Sequence, residues 1–135
     1  MELRAVKYSD YEQLKKWWDY WKFPAPDMCI LPKYDNETTT GIMVTKNGVD
    51  VCAGFLYETN SALCWVEFIV ANPNVEKEER GECLDKLIQE FTIEAQSLGF
   101  GAIFASIKHP SLLDRYIKAG YTIGTTNTNE LIKIL

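Results

Sequence analysis

The run Ala62–Ala71, Ala-Leu-Cys-Trp-Val-Glu-Phe-Ile-Val-Ala, constrains the fold more than any other stretch, because only Glu67 interrupts its apolar character. A strand with one wet face alternates apolar and polar residues. An unbroken run such as this is predicted to form a central strand covered on both sides. Pro73 ends it. Val75–Leu98 follows as the longest predicted helix, with Leu84, Leu87, Ile88, Phe91, Ala95 and Leu98 at helical spacing along one stripe. Gly99 supplies its stop. A doubly covered strand leading into a long amphipathic helix points to an α/β fold, with helices packed on a sheet.

The flanking segments extend this pattern. Glu2–Val6 is predicted as a first strand. Ser9-Asp10-Tyr11-Glu12 has capping-box form and is predicted to start a helix. Tyr11, Leu14, Trp18 and Trp21 mark that helix's apolar face, and Phe23-Pro24-Ala25-Pro26 ends it. Residues 27–39 read as a loop with room for one helical turn. Gly41–Lys46 and Val49–Glu58 are predicted strands joined by Asn47-Gly48, a dipeptide whose residues both accept the positive φ of a tight hairpin. Gly101–Ile107 is a further strand. Pro110–Ala119 is a short amphipathic helix closed by Gly120, and strands are predicted at 121–125 and 129–135. One domain accounts for the whole chain of 135 residues.

Composition narrows the function. Apolar residues make up 47% and charged residues 24%, the profile of a globular chain. The net charge of −5 argues against a nucleic-acid binder, which needs a basic surface. No apolar run is long enough for a membrane span, and the N-terminus lacks a signal-peptide core, so a cytoplasmic location is expected. The four cysteines, Cys29, Cys52, Cys64 and Cys83, lie in or beside apolar segments without a Cys-x-x-Cys pair, and are expected to be buried thiols. A single histidine gives no expectation of a metal site.

Residues 109–121, His-Pro-Ser-Leu-Leu-Asp-Arg-Tyr-Ile-Lys-Ala-Gly-Tyr, carry a specific resemblance. They are similar to the Asn-x-x-Ala-x-x-x-Tyr-x-x-x-Gly-Phe segment of the GNAT family of acyl-CoA-dependent N-acyltransferases, with His109 in place of Asn and Leu112 in place of Ala. The predicted element order is also that family's, over essentially the whole chain. The resemblance implies a mixed, mainly antiparallel sheet flanked by helices, with acetyl-CoA as acyl donor. It implies a small-molecule or protein amine as acceptor. In the family the tyrosine lies beside the thioester sulfur and serves as general acid, a role that falls on Tyr116. Backbone groups of Ile69, Val70 and Ala71 would then hold the pantetheine arm.

The family's pyrophosphate loop, Gln/Arg-x-x-Gly-x-Gly/Ala, maps onto 74–85. Counting forward from Pro73 puts Glu76, Glu79 and Gly81 at the motif positions. Taking Gly81 as the first glycine gives Glu78, Gly81 and Cys83, and counting back from Gly99 gives Arg80, Cys83 and Asp85. No register fills more than one of the three. Arg80, Gly81 and Cys83 are the candidate contacts, together with His109, whose place before Pro110 puts it in a loop as either a solvated residue or a ligand. Glu76, Glu78, Glu79 and Glu82 oppose a polyanion but would stabilise the first turn of a helix.

Glu67, the one charge in its run, would have a raised pKa if desolvated, as suits a general base. A place on the sheet's wet rim or beside a lysine is the alternative. Most of the rings at Trp17, Trp18, Trp21, Phe23 and Tyr34 are assigned to core, with one or two of them, Trp17 or Phe23, expected to line an acceptor pocket. A non-catalytic GNAT-fold binding or structural module, as in some phage particles, is the competing reading. Sheet extension through 129–135 would permit a homodimer.

Overall fold

A computed structural model describes all 135 residues. Its sheet has the order β1 (Glu2–Lys7), β2 (Thr38–Lys46), β3 (Val49–Tyr57), β4 (Leu63–Ala71) and β5 (Ala102–Ala105). The first four strands are antiparallel neighbours, and β5 runs parallel to β4. Helix α1 spans Tyr11–Tyr20, α2 spans Lys77–Ser97 and α3 spans Pro110–Lys118. The expected α/β architecture, a mixed and mainly antiparallel sheet flanked by helices, is the one observed.

β4 is covered on both faces, as its composition requires. Cys64, Val66 and Ala71 pack with Leu87, Phe91 and Ala95 of α2. Val70 enters a second core with Leu14, Trp17 and Trp18 of α1. Each of the valines and leucines here, and Phe91, contributes about 1.5–3 kcal/mol on burial. Asn47 and Gly48 have φ of 52° and 77°, the predicted hairpin turn.

Within β4 the register slips. Phe55 stands opposite Glu67 and Ala53 opposite Val70, so two steps on β3 span three on β4. The extra residue is a β-bulge with Phe68 at φ 60°. Phe68 packs toward the α1 core and Ile69 toward the α2 core. The bulge therefore changes which face each later residue meets.

Gly54 on β3 sits beneath this point. A Cβ there would lie 2.8 Å from Cγ1 of Ile69 and 3.0 Å from Cε2 of Phe91. Gly54→Val is expected to cost about 1–3 kcal/mol through overpacking, seen as a lower urea midpoint at unchanged slope. An unchanged midpoint would show that the approach of α2 to β3 is loose.

Several expectations are corrected. A 3₁₀ turn, Tyr8–Asp10, precedes α1, and the Lys7 N–H donates to Asp10 Oδ2 at 2.8 Å. Asp10, not the predicted Ser9, is the N-cap residue of α1; its carboxylate, further held by Arg4 at 2.8 Å, closes the preceding turn and accepts from no N–H of α1. Cys29 is exposed, while the other three cysteines are buried. β5 is confined to Ala102–Ala105, shorter than the predicted Gly101–Ile107.

Residues 121–135 form no strand at all. β5 stays at the sheet edge, and Leu131, Ile132, Ile134 and Leu135 are exposed. β-propensity acts only where a neighbouring strand offers hydrogen bonds and packing, and this segment has no such neighbour.

Candidate active site

Pairing between β4 and β5 runs from Leu63–Ala102 to Val66–Ala105 and stops. β4 continues through Ala71 with no neighbour on that side, so the sheet opens at the bulge. The Asn72 N–H donates to Val51 O at 2.7 Å. Backbone direction alternates along a strand, so Val70 faces β3 while Ile69 and Ala71 face the opening. Of the three backbone contacts expected there, Val70 is therefore directed elsewhere. Past the strand's end, the N–H groups of Lys77, Glu78 and Glu79 open α2, ahead of the Arg80 N–H bonded to Glu76 O at 2.9 Å.

Tyr116 is placed by the end of α3. The Tyr121 N–H donates to Tyr116 O at 3.1 Å and the Gly120 N–H to Ile117 O at 3.0 Å. With Gly120 at φ 102°, this is a Schellman stop. It brings the rings of Tyr116 and Tyr121 to 4.8 Å, edge to face. The Tyr116 side chain is buried, and its hydroxyl has no hydrogen-bond partner. Burial, with Tyr121 and Glu67 nearby, pushes the phenol well above its ordinary pKa and keeps its proton on.

Glu67 is half-buried on β4. Burial pushes its carboxyl up to about 7; the Trp65 indole N–H, donating at 3.0 Å, holds it down in part, and Glu130 pushes it up further. Its hydrogen-bond partner is an indole and not a lysine. Trp65 stacks against Phe104 of β5 with centroids 4.5 Å apart. On the α1 side, Phe68 meets Trp18, Phe23 and Tyr57 at 6.3–6.5 Å. Phe23 is exposed and lines this region, whereas Trp17 is core. The period-two spacing of Trp65 and Glu67 is the signal in the sequence that joins them on one face of β4.

The residues assigned to the cofactor's phosphates are placed differently from expectation. Cys83 is fully buried among core side chains, and burial pushes its thiol up. Gly81 makes room for Arg115: a Cβ there would lie 2.5 Å from its guanidinium nitrogen. Arg115 donates to Gly81 O at 3.1 Å and to Asp85 at 2.9 Å, tying α3 to α2. His109 is the N-cap of α3, its Nδ1 accepting from the Ser111 N–H at 3.3 Å.

Arg80 remains at the mouth of α2, donating to Val75 O at 2.6 Å. Lys46 reaches over from β2 to Glu79 and Glu82, each at 3.3 Å. Part of the acidic cluster is therefore neutralised by a lysine that the sequence placed far away.

No family model and no curated protein matches the sequence. Solved structures do. The ribosomal-protein-S18-alanine N-acetyltransferase from Escherichia coli superposes with a TM-score of 0.72 at 12% identity, over 92% of this chain and 79% of that one. A Mycobacterium tuberculosis protein solved in complex with CoA gives 0.71 at 16% identity, over 96% and 76%. An aminoglycoside acetyltransferase from a soil metagenomic sample, in complex with sisomicin, gives 0.67 at 14% identity, over 99% and 96%. This is the GNAT acetyltransferase fold. Within the GNAT frame, the opening beside β4, the buried Tyr116 and the half-buried Glu67 converge on one region.

Proposed function

We propose that this chain is an N-acetyltransferase that moves an acetyl group from acetyl-CoA to a primary amine by direct attack. The observation that carries this reading is the buried, unpartnered hydroxyl of Tyr116, a proton donor with no structural use for its proton. The residues fit the length of acetyl-CoA: Ile69 and Ala71 offer backbone groups to the pantetheine arm along an open strand edge, and the first-turn amides of α2, with Arg80, offer donors for phosphate.

When bound, acetyl-CoA supplies an activated thioester carbonyl. Glu67, with its pKa pushed to about 7, takes the proton of an incoming ammonium at its carboxylate near neutral pH. The Ile69 N–H, facing the opening, is a donor for developing negative charge. Tyr116 gives its hydroxyl proton to the departing sulfur. Burial keeps the phenol protonated across the physiological range, and because a raised pKa weakens the acid, the proton moves only as thiolate charge develops beside it. Phe23, Phe68, Tyr57 and Trp65 suit an amine, free or on a protein, that carries an apolar body.

One observation favours a second reading, a non-catalytic binding module. Gly81, the sole glycine of the 76–85 stretch, serves the Arg115 contact, so no glycine-lined cradle surrounds the phosphates. An assay of thiol release from acetyl-CoA with a panel of primary amines separates the two. Amine-dependent release is expected. Its absence across the panel, with acetyl-CoA shown to bind, would favour the module.

A further inference from the structure

Trp21 departs from the apolar stripe on which its spacing placed it. It lies just beyond α1 and is 44% exposed. Its indole N–H donates to Ala71 O at 2.8 Å. Ala71 is one of the two residues whose backbone faces the opening beside β4, so the indole sits on that edge.

Two features hold it there. The Arg80 guanidinium lies 5.2 Å from the centre of the indole ring, within the range of a cation–π attraction. The chain also turns sharply after Trp21. The Phe23 N–H donates to Trp18 O at 2.9 Å and the Lys22 N–H to Asp19 O at 3.1 Å, with Lys22 at φ 57°. This is a Schellman-type helix end with lysine where glycine is most at ease. Trp21 is thus mounted beside a strained turn, with solvent on its open side.

We propose, resting on the acyl-CoA reading above, that Trp21 is a gate on the cleft. An extended ligand bearing amides adds to an open strand edge through the strand's own N–H and C=O groups. Ala71 O is one of few such acceptors here, and Trp21 holds it. The pantetheine arm takes this carbonyl only when the indole lets go. The same movement releases Arg80 from the ring and leaves its donors beside the first turn of α2, where a phosphate would lie. The gate therefore links the strand edge to the arginine: one is open to ligand only when the other is.

The test is calorimetric titration of coenzyme A into the wild type, Trp21→Phe and Trp21→Ala, with nitrogen-edited NMR of the indole N–H groups. Trp21→Phe keeps an aromatic ring for Arg80 and removes only the donor. Because a closed gate weakens apparent affinity by the open fraction, and a net hydrogen bond holds it shut, Trp21→Phe is expected to lower Kd roughly 3- to 10-fold, and Trp21→Ala at least as much. In the wild type, the Trp21 indole signal, assigned by its loss in Trp21→Phe, is expected to shift on saturation while those of core Trp17 and Trp18 hold.

Equal or weaker binding by Trp21→Phe, or an unmoved Trp21 signal in saturated wild type, would overturn the gate and leave the acyl-CoA reading standing. No binding by any of the three at millimolar coenzyme A would overturn both. Should Trp21→Phe fold poorly, the Trp21 indole signal is assigned in the wild type by triple-resonance NMR, so the gate is still read without any substitution.

Discussion

Tyr116→Phe is expected to lower kcat by about 10²–10⁴-fold while leaving the protein as stable as the wild type or more so. The first effect follows from the loss of the general acid at the departing sulfur. The second follows from burial. The hydroxyl is enclosed without a partner, and an unsatisfied buried polar group costs about 1–3 kcal/mol. Phenylalanine retains the ring, its edge-to-face contact with Tyr121 and the Schellman stop, and discards only the orphaned oxygen. Melting temperature and turnover measured on the same preparations decide it. A fall in both would mean that the hydroxyl holds the fold together and that the catalytic role is wrong.

Glu67→Gln is expected to reduce kcat/KM by at least about 100-fold and to abolish the acid limb of the pH–rate profile near pH 7. Its stability effect has a definite sign. The folded state holds the Glu67 proton more tightly than the unfolded chain, because burial pushes the carboxyl up to about 7. In the window between the ordinary carboxylate range and 7, the unfolded chain has released a proton that the folded one keeps. Stability therefore falls as pH rises through that window. Glutamine cannot ionise, so urea midpoints of the variant and wild type are expected to keep a constant offset at low pH, to move apart as pH rises through that window and to hold a constant gap above neutrality, the shift favouring the variant. A wild type that gains stability relative to the variant with rising pH would place Glu67 in an ion pair.

The parts of the fold legible in sequence were those governed by local rules. Asn47-Gly48 made its hairpin, and the apolar run made a doubly covered β4. Residues 116–121 formed their helix stop because a Tyr-x-x-x-Gly-Tyr spacing is that of a Schellman motif. This spacing is set by the capping geometry, and so it reports the fold more directly than the reaction. What could not be read depends on distant partners. The strands expected in 121–135 had good propensity but found no neighbour.

The candidate site divides along the same line. Glu67 stood out as the one charge in an apolar run and Tyr116 by its spacing, and the fold brings the two near one another. Gly81 matched a phosphate-loop letter, yet its missing Cβ serves Arg115, which lies 34 residues away. Trp21 fitted a helical stripe, yet α1 ends at Tyr20 and frees it to reach Ala71, 50 residues on. The bulge at Phe68, which reassigns every later face of β4, leaves no mark in an uninterrupted apolar run.

The central claim is that the open edge of β4 receives acetyl-CoA with its sulfur at Tyr116. Calorimetric titration of acetyl-CoA into wild type and Tyr116→Phe, paired with turnover on one active amine, tests it most directly. The account predicts micromolar binding of equal strength in both proteins, with turnover lost only in the variant. No heat of binding at millimolar acetyl-CoA in the wild type would contradict it.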